Sequence, residues 1–207
     1  MATAFFGGSF DPPHAGHMAV ASGALASGKC DQVLWVPAFA PPHKLDRERA
    51  PFEHRMKMVE LLIDGHPAMR TSDIEARRSV QPSYTIDSLE ALKHEGFPDL
   101  LLLIGADSLL ELHTWKRCRE LVKNYPILTY PRRGSEITAA KLAAHWEAEQ
   151  LRKLLDGVLD GKFFEISSSG IRNSMEKNTF TGNIKEETEI TPALAEYIDR
   201  CHLYGKS

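Results

Sequence analysis

Short apolar runs recur along the chain, each bounded by glycine, proline or a charged cluster, and between them lie stretches whose apolar positions return at helical spacing. The first pattern predicts buried strands and the second amphipathic helices. Ala4-Phe5-Phe6, Asp31 to Pro37, Leu100 to Ile104, Tyr125 to Tyr130 and Phe163 to Ile166 are the runs, with a shorter one inside Met69 to Ile74. Pro126 puts its strand nearer a sheet edge. Met18 to Ala26, Pro51 to Ile63, Thr85 to His94, Ile137 to Leu159 and Thr191 to Tyr204 read as helices. In the second, Pro51 suits the first helical position, and Phe52, Met56, Val59 and Ile63 form its apolar stripe. Ser83 or Thr85 is the expected N-cap of the third helix and Thr191 that of the last, while Glu75-Ala76-Arg77-Arg78 reads as a solvated turn. Strands alternating with helices predict an α/β fold: a doubly wound, mostly parallel sheet with helices on both faces.

At 207 residues the chain has room for one sizeable core. We expect a single domain over 1–207, with a C-terminal helical segment from about 167 packing on it. A net charge of -3, with 43% hydrophobic and 26% charged residues, argues against a nucleic-acid surface. Met1-Ala2-Thr3 runs straight into the first strand, and no apolar stretch is long enough to cross a bilayer, so a cytoplasmic location is expected. Cys30, Cys118 and Cys201 are too far apart for a zinc motif and odd in number for a disulfide framework, which suits reduced, structural thiols.

In a Rossmann-like sheet, ligands gather beyond the carboxyl ends of the strands. Five loops fall there: 7–17, 38–44, 105–108, 131–134 and 167–172. The first reads Gly7-Gly8-Ser9-Phe10-Asp11-Pro12-Pro13-His14-Ala15-Gly16-His17. Its glycines would let the backbone turn sharply and lie close to another surface. His14 and His17 would stand at the first turn of a helix, where free N–H groups and the macrodipole favour anions. A bound polyphosphate would favour their charged form. A zinc pair is the weaker reading, since neither CxxC nor HExxH supplies further ligands. Lys44, after two prolines and His43, could meet a phosphate as a point charge. Asp107 could cap a helix or accept from ribose hydroxyls. Ser167-Ser168-Ser169 with Arg172 would make a second phosphate cradle, and Trp115 offers either core packing or a stacking face.

Residues 7–17 match without a gap the pattern G-G-x-F-D-P-x-H-x-G-H, so the chain resembles the nucleotidyltransferase superfamily of adenylyl- and cytidylyltransferases. Ala40 to Lys44, Pro82 to Thr85, Gly105 to Ser108 with Trp115, Ile166 to Arg172, and the tail Tyr197-Ile198 to Leu203-Tyr204 narrow that resemblance to the bacterial nicotinate-nucleotide adenylyltransferase family. The resemblance implies transfer of AMP from ATP to nicotinate mononucleotide, giving nicotinate adenine dinucleotide and pyrophosphate in NAD biosynthesis. It implies Mg2+ on the ATP phosphates rather than a metal held by side chains. Gly7, Gly8, Ser9, Phe10, His14, His17, Gly105, Asp107, Ile166, Ser168, Ser169 and Arg172 would hold ATP. His43, Lys44, Ser83, Tyr84, Thr85, Trp115 and Arg132 would hold the mononucleotide, and His14, His17, Lys44 and Arg172 would serve catalysis. The implied partners are these two small molecules, with no nucleic acid and no membrane, and a homodimer is admitted. Two departures stand out: Ser169 where relatives commonly have threonine, and Arg133 where they commonly have proline. The alternatives are an adenylyltransferase for nicotinamide mononucleotide or phosphopantetheine, and a nucleotide-binding regulatory module without catalysis.

Overall fold

The computed structural model describes residues 1–40, 49–132, 134–160, 167–176 and 190–205. The runs that read as strands form β1 (Thr3–Gly8), β2 (Gln32–Pro37), β3 (Met69–Thr71), β4 (Leu100–Gly105) and β5 (Ile127–Tyr130). They pair in parallel throughout, in the order β3-β2-β1-β4-β5. The run Phe163 to Ile166 lies outside the described residues. The helices are α1 (Ala15–Ala26), α2 (Phe52–Ile63), α3 (Ile74–Arg78), α4 (Thr85–His94), α5 (Ala106–Glu111), α6 (Cys118–Asn124), α7 (Ala139–Ala143), α8 (Ala148–Asp156), α9 (Ser168–Glu176) and α10 (Pro192–Arg200).

The strands carry apolar side chains on both sides because both faces of the sheet are covered. Phe5, Leu34, Val36, Leu102 and Ile104 point to one layer, where Ile86, Leu89 and Leu92 of α4, Leu109 of α5 and Leu121 of α6 meet them. Their neighbours Ala4, Phe6, Val33, Trp35, Leu101 and Leu103 point to the other, against Ala21 and Ala24 of α1 and Val59 and Leu62 of α2. A third cluster of Met58, Ile171, Ile190, Leu194 and Ile198 fastens α9 and α10 to α2. The strand order reverses between β1 and β4, so the crevice of a doubly wound sheet opens at the carboxyl ends of those two strands.

Several local expectations are corrected. Pro51 is the N-cap of α2 rather than its first helical residue, and the helix buries Arg55, Met58, Val59, Leu62 and Ile63. Phe52 and Met56 are only half-buried, so the expected stripe is rotated around the helix. The reason is Arg55, whose backbone hydrogen bonds compensate burial that an apolar pattern assigns to solvent. Glu75 is buried within α3 rather than solvated, accepting from the Phe39 N–H at 3.0 Å and the Ser88 hydroxyl at 3.1 Å. Neither Ser83 nor Thr85 caps α4: Tyr84 is at the cap position, and Ser83 Oγ accepts instead from the Ala40 N–H at 3.1 Å. Thr191 does cap α10, accepting from the Leu194 N–H at 3.3 Å.

The stretch 137–159 divides into α7 and α8, and its end returns to the sheet edge, where the Thr129 N–H donates to Gly157 O at 2.9 Å and the Leu159 N–H to Thr129 O at 2.8 Å. A Cβ on Gly157 would fall 1.9 Å from the backbone oxygen of Ile127, which cannot step aside as a side chain can. Gly157→Ala is therefore expected to lose about 1–3 kcal/mol of stability in denaturant titration, the usual scale of overpacking a tight site.

Candidate functional site

The crevice is a cleft of about 390 Å³ whose walls come from β1 and α1, from β4 and β5, and from α9. Gly7 and Gly8 do not turn the chain: they extend β1, opposite Val36 and Pro37. What they provide is close approach, since a Cβ on Gly8 would meet the Phe10 ring at 2.9 Å. The reversal falls on Phe10, which holds a left-handed φ of 48°. Such a backbone costs a non-glycine residue about 1–2 kcal/mol. The fully buried ring offsets it by packing edge-on against Phe6 and His17, with centroids 5.3 and 5.1 Å apart.

The reversal delivers His14 to the N-cap of α1 and His17 to its first turn. His17 Nδ1 accepts the His14 backbone N–H at 3.2 Å, so a neutral His17 ring carries its proton on Nε2. The two imidazoles lie 3.8 Å apart. His14 is 5% exposed, and its Nδ1 has no hydrogen-bond partner among the described residues. Burial, assisted by the charge of Arg132, pushes its pKa down to about 4. The protein by itself therefore holds His14 neutral, and the charged form expected at this position has to come from a bound anion.

Across the cleft, Ser167 accepts from the Gly170 N–H at 3.1 Å and the Ser168 hydroxyl donates to Pro12 O at 2.9 Å, which ties α9 to the histidine loop. Arg172 is 8% exposed. Its Nη1 donates to the backbone oxygen of Asp11 and lies 3.6 Å from Asp11 Oδ2, while Nη2 donates to Ser169 Oγ at 3.1 Å. The substitution at Ser169 thus keeps a working hydroxyl. Asp11 Oδ1 accepts from the Tyr204 hydroxyl at 2.7 Å and the Ala50 N–H at 3.2 Å. Beneath them Arg55, 2% exposed, donates from Nη1 to Ser9 O at 2.8 Å and from Nε to Ala50 O at 3.0 Å. Burial lowers its pKa and Asp11 opposes that shift.

The third wall holds Asp107, Trp115 and Arg132. Asp107 is not a cap, for Gly105 has that position; its Oδ2 accepts from Arg132 Nη1 at 3.1 Å. Trp115 is half-buried, packed on the core beneath while it lines the cleft. Ser9, Phe10, Gly105, Ser168 and Ser169 also line it. Ser83, Tyr84 and Thr85 do not; Tyr84 lies under Lys116 Nζ, 4.3 Å from the ring centroid. His43, Lys44, Arg133 and Ile166 lie outside the described residues. Residues that periodicity missed are Asp11, Arg55, Tyr204 and Arg49, which lines the cleft with a buried Nη2 that has no hydrogen-bond partner among the described residues. Asp11 was within reach, since it falls inside the matched pattern. Arg49, Arg132 and Arg172 against Asp11 and Asp107 leave the lining positive, so it suits a polyanion.

A parallel sheet whose switch point opens between paired imidazoles and a buried arginine is an architecture for handling nucleotides, and a family model described as cytidylyltransferase-like matches residues 5–174. A relative from Desulfotalea psychrophila, named a probable nicotinate-nucleotide adenylyltransferase, is 32% identical over 213 residues, covering 96% of this chain and 97% of its own. One of the same name from Bacillus pumilus is 40% identical over 203 residues, covering 96% of each chain. The chain belongs to the cytidylyltransferase-like family and, within it, to the nicotinate-nucleotide adenylyltransferases. Its fold is also that of the Plasmodium falciparum nicotinic acid mononucleotide adenylyltransferase complexed with NaAD, at a TM-score of 0.73 and 20% identity over 98% of this chain and 97% of that one.

The low pKa of His14 has a measurable consequence. Between pH 6.5 and about 4 the unfolded chain binds a proton there that the folded protein does not, so stability falls as pH falls through that window. Denaturant unfolding of wild type should lose about 2 kcal/mol more than His14→Asn between pH 7 and pH 5. Equal losses in the two proteins would remove His14 as the cause.

Proposed function

We propose that the chain transfers the AMP moiety of ATP to nicotinate mononucleotide, giving nicotinate adenine dinucleotide and pyrophosphate in NAD biosynthesis. The observation that carries this reading is the convergence of His14, His17, Ser168, Arg172 and Asp107 on one positive cleft, in a chain 40% identical to a relative of that name. The triphosphate would lie between the start of α1 and the start of α9. There Gly7 to Phe10, the imidazoles, the serines 168 and 169 and Arg172 would supply donors. Asp107 and Gly105 would meet the adenosine ribose. Arg132 and Trp115, with His43, Lys44 and Ser83 to Thr85, would serve the mononucleotide.

The mononucleotide's phosphate oxygen is already a nucleophile, so no hydroxyl or thiol of the protein needs activation. It attacks the α-phosphorus of ATP in line, one phosphorus–oxygen bond forms as the bond to pyrophosphate breaks, and the protein's share is positioning and charge stabilisation. Among the described residues no group of three His, Cys, Asp or Glu side chains could hold a metal ion. Magnesium would be held by the triphosphate oxygens, where it would neutralise charge on the leaving group. Clustering of Ile171, Leu194 and Ile198 with Met58 supports reading 1–207 as one domain, the segment from about 167 included. Three free cysteines support a reducing, cytoplasmic setting. Among the described residues no helix is long and apolar enough to cross a membrane.

Pyrophosphate release measured with ATP and nicotinate, nicotinamide or phosphopantetheine acceptors tests the reading, and it is overturned if the nicotinate compound supports none. His17→Ala should lower turnover roughly 10²–10³-fold, the scale of removing one preorganised donor; near-normal turnover of a folded variant would sink its role. Trp115→Ala should raise KM for the mononucleotide and leave that for ATP unchanged, because stacking serves one substrate. Equal rises for both substrates would make Trp115 a packing residue.

A further inference from the structure

The C-terminal tail reaches the carboxylate of Asp11, a residue that lines the cleft, and the proposed reaction makes no use of it. Beyond α10 the chain passes through His202 and Tyr204, both in left-handed backbone with φ of 51° and 63°. Two such residues in one turn cost free energy, so something must hold them there. Part of the hold is apolar, since Leu203 and Tyr204 pack on the cluster of Met58, Leu194 and Ile198. The other part is polar: the Tyr204 hydroxyl donates to Asp11 Oδ1 at 2.7 Å across 193 residues of sequence. Burial, then the charge of Asp11, raises the phenol's pKa, which keeps that proton in place.

We propose that Tyr204 is a positioning residue: it anchors one carboxylate oxygen of Asp11 so that the other oxygen and the Asp11 backbone hold Arg172 toward the nucleotide. A carboxylate rotates readily about its terminal torsion, and its direction is set by what its oxygens bond. Oδ1 has two donors, the Tyr204 hydroxyl and the Ala50 N–H, and these aim Oδ2 at Arg172 Nη1, 3.6 Å away. Without the hydroxyl, the amide alone sets the angle. Arg172 would keep its bonds to the Asp11 backbone oxygen and Ser169 Oγ but lose the fixed carboxylate partner of Nη1, and misplacement by a fraction of an ångström weakens transition-state stabilisation steeply.

This inference rests on the nucleotide role proposed for Arg172, so the test separates the two. Kinetics are measured for wild type, Tyr204→Phe, Arg172→Ala and the double variant, with Leu203→Ala as a control that loosens the tail without touching the hydroxyl. Tyr204→Phe is expected to lower kcat/KM for ATP roughly tenfold with KM for the mononucleotide unchanged, and to add nothing in the Arg172→Ala background. Leu203→Ala should lower the melting midpoint and leave the ATP kinetics near wild type. If Arg172→Ala is itself near wild type, the role of Arg172 fails. If Arg172→Ala is impaired but the two losses multiply, or Leu203→Ala reproduces the ATP defect, or Tyr204→Phe does not fold, then Tyr204 is merely structural and the inference is overturned.

Discussion

The site depends on one buried carboxylate placed among guanidinium groups. Asp11 faces Arg172 directly and acts electrostatically on Arg55 beneath it, and all three side chains are almost wholly removed from water. Removing one partner from a buried pair typically costs about 3–5 kcal/mol, because the other charge is left uncompensated. That asymmetry makes the arrangement rigid. Arg55 spends its donors on the oxygens of Ser9 and Ala50, so the end of the glycine loop and the start of α2 are bolted to the same charge that holds Arg172. One acid thus positions the histidine loop, the approach to α2 and the start of α9.

The sheet explains why these pieces meet. With β1 and β4 adjacent and the strand order reversing between them, the loops after them diverge to opposite faces and leave a crevice at the rim. The electrostatics of that rim are tuned in opposite senses. Arg172 and Arg132 present positive charge, while burial and Arg132 together keep His14 neutral. A neutral imidazole beside fixed cations still supplies a hydrogen bond, and it adds no further repulsion to a protein waiting for a polyphosphate.

Much of the fold was legible because parallel strands covered on both faces read as unbroken apolar runs, and all the runs that fall within the described residues became strands. Legibility failed wherever a charged side chain found backbone partners inside. Arg55 and Glu75 look like solvent positions to any hydrophobic pattern, and the first of them rotated the expected face of α2. Caps failed for a related reason: Ser83 had a partner in Ala40, far from it in sequence, that outcompeted the local helix start. For the candidate site, the contiguous segment 7–17 was readable as a unit, and the structure gathers it with residues of 105–108 and 167–172 around the crevice. The pairing of Asp11 with Tyr204 was not readable, since no local pattern links residues separated by nearly the whole chain.

The bond from the His14 amide to His17 Nδ1 limits what that imidazole can do. With Nδ1 committed to the backbone, the Nε2 of a neutral ring carries the proton and has no lone pair to offer. In its neutral form His17 is thereby set up as a donor rather than a relay, a geometry that fits the positioning part proposed for it. That suits chemistry at phosphorus in which the nucleophile arrives already ionised.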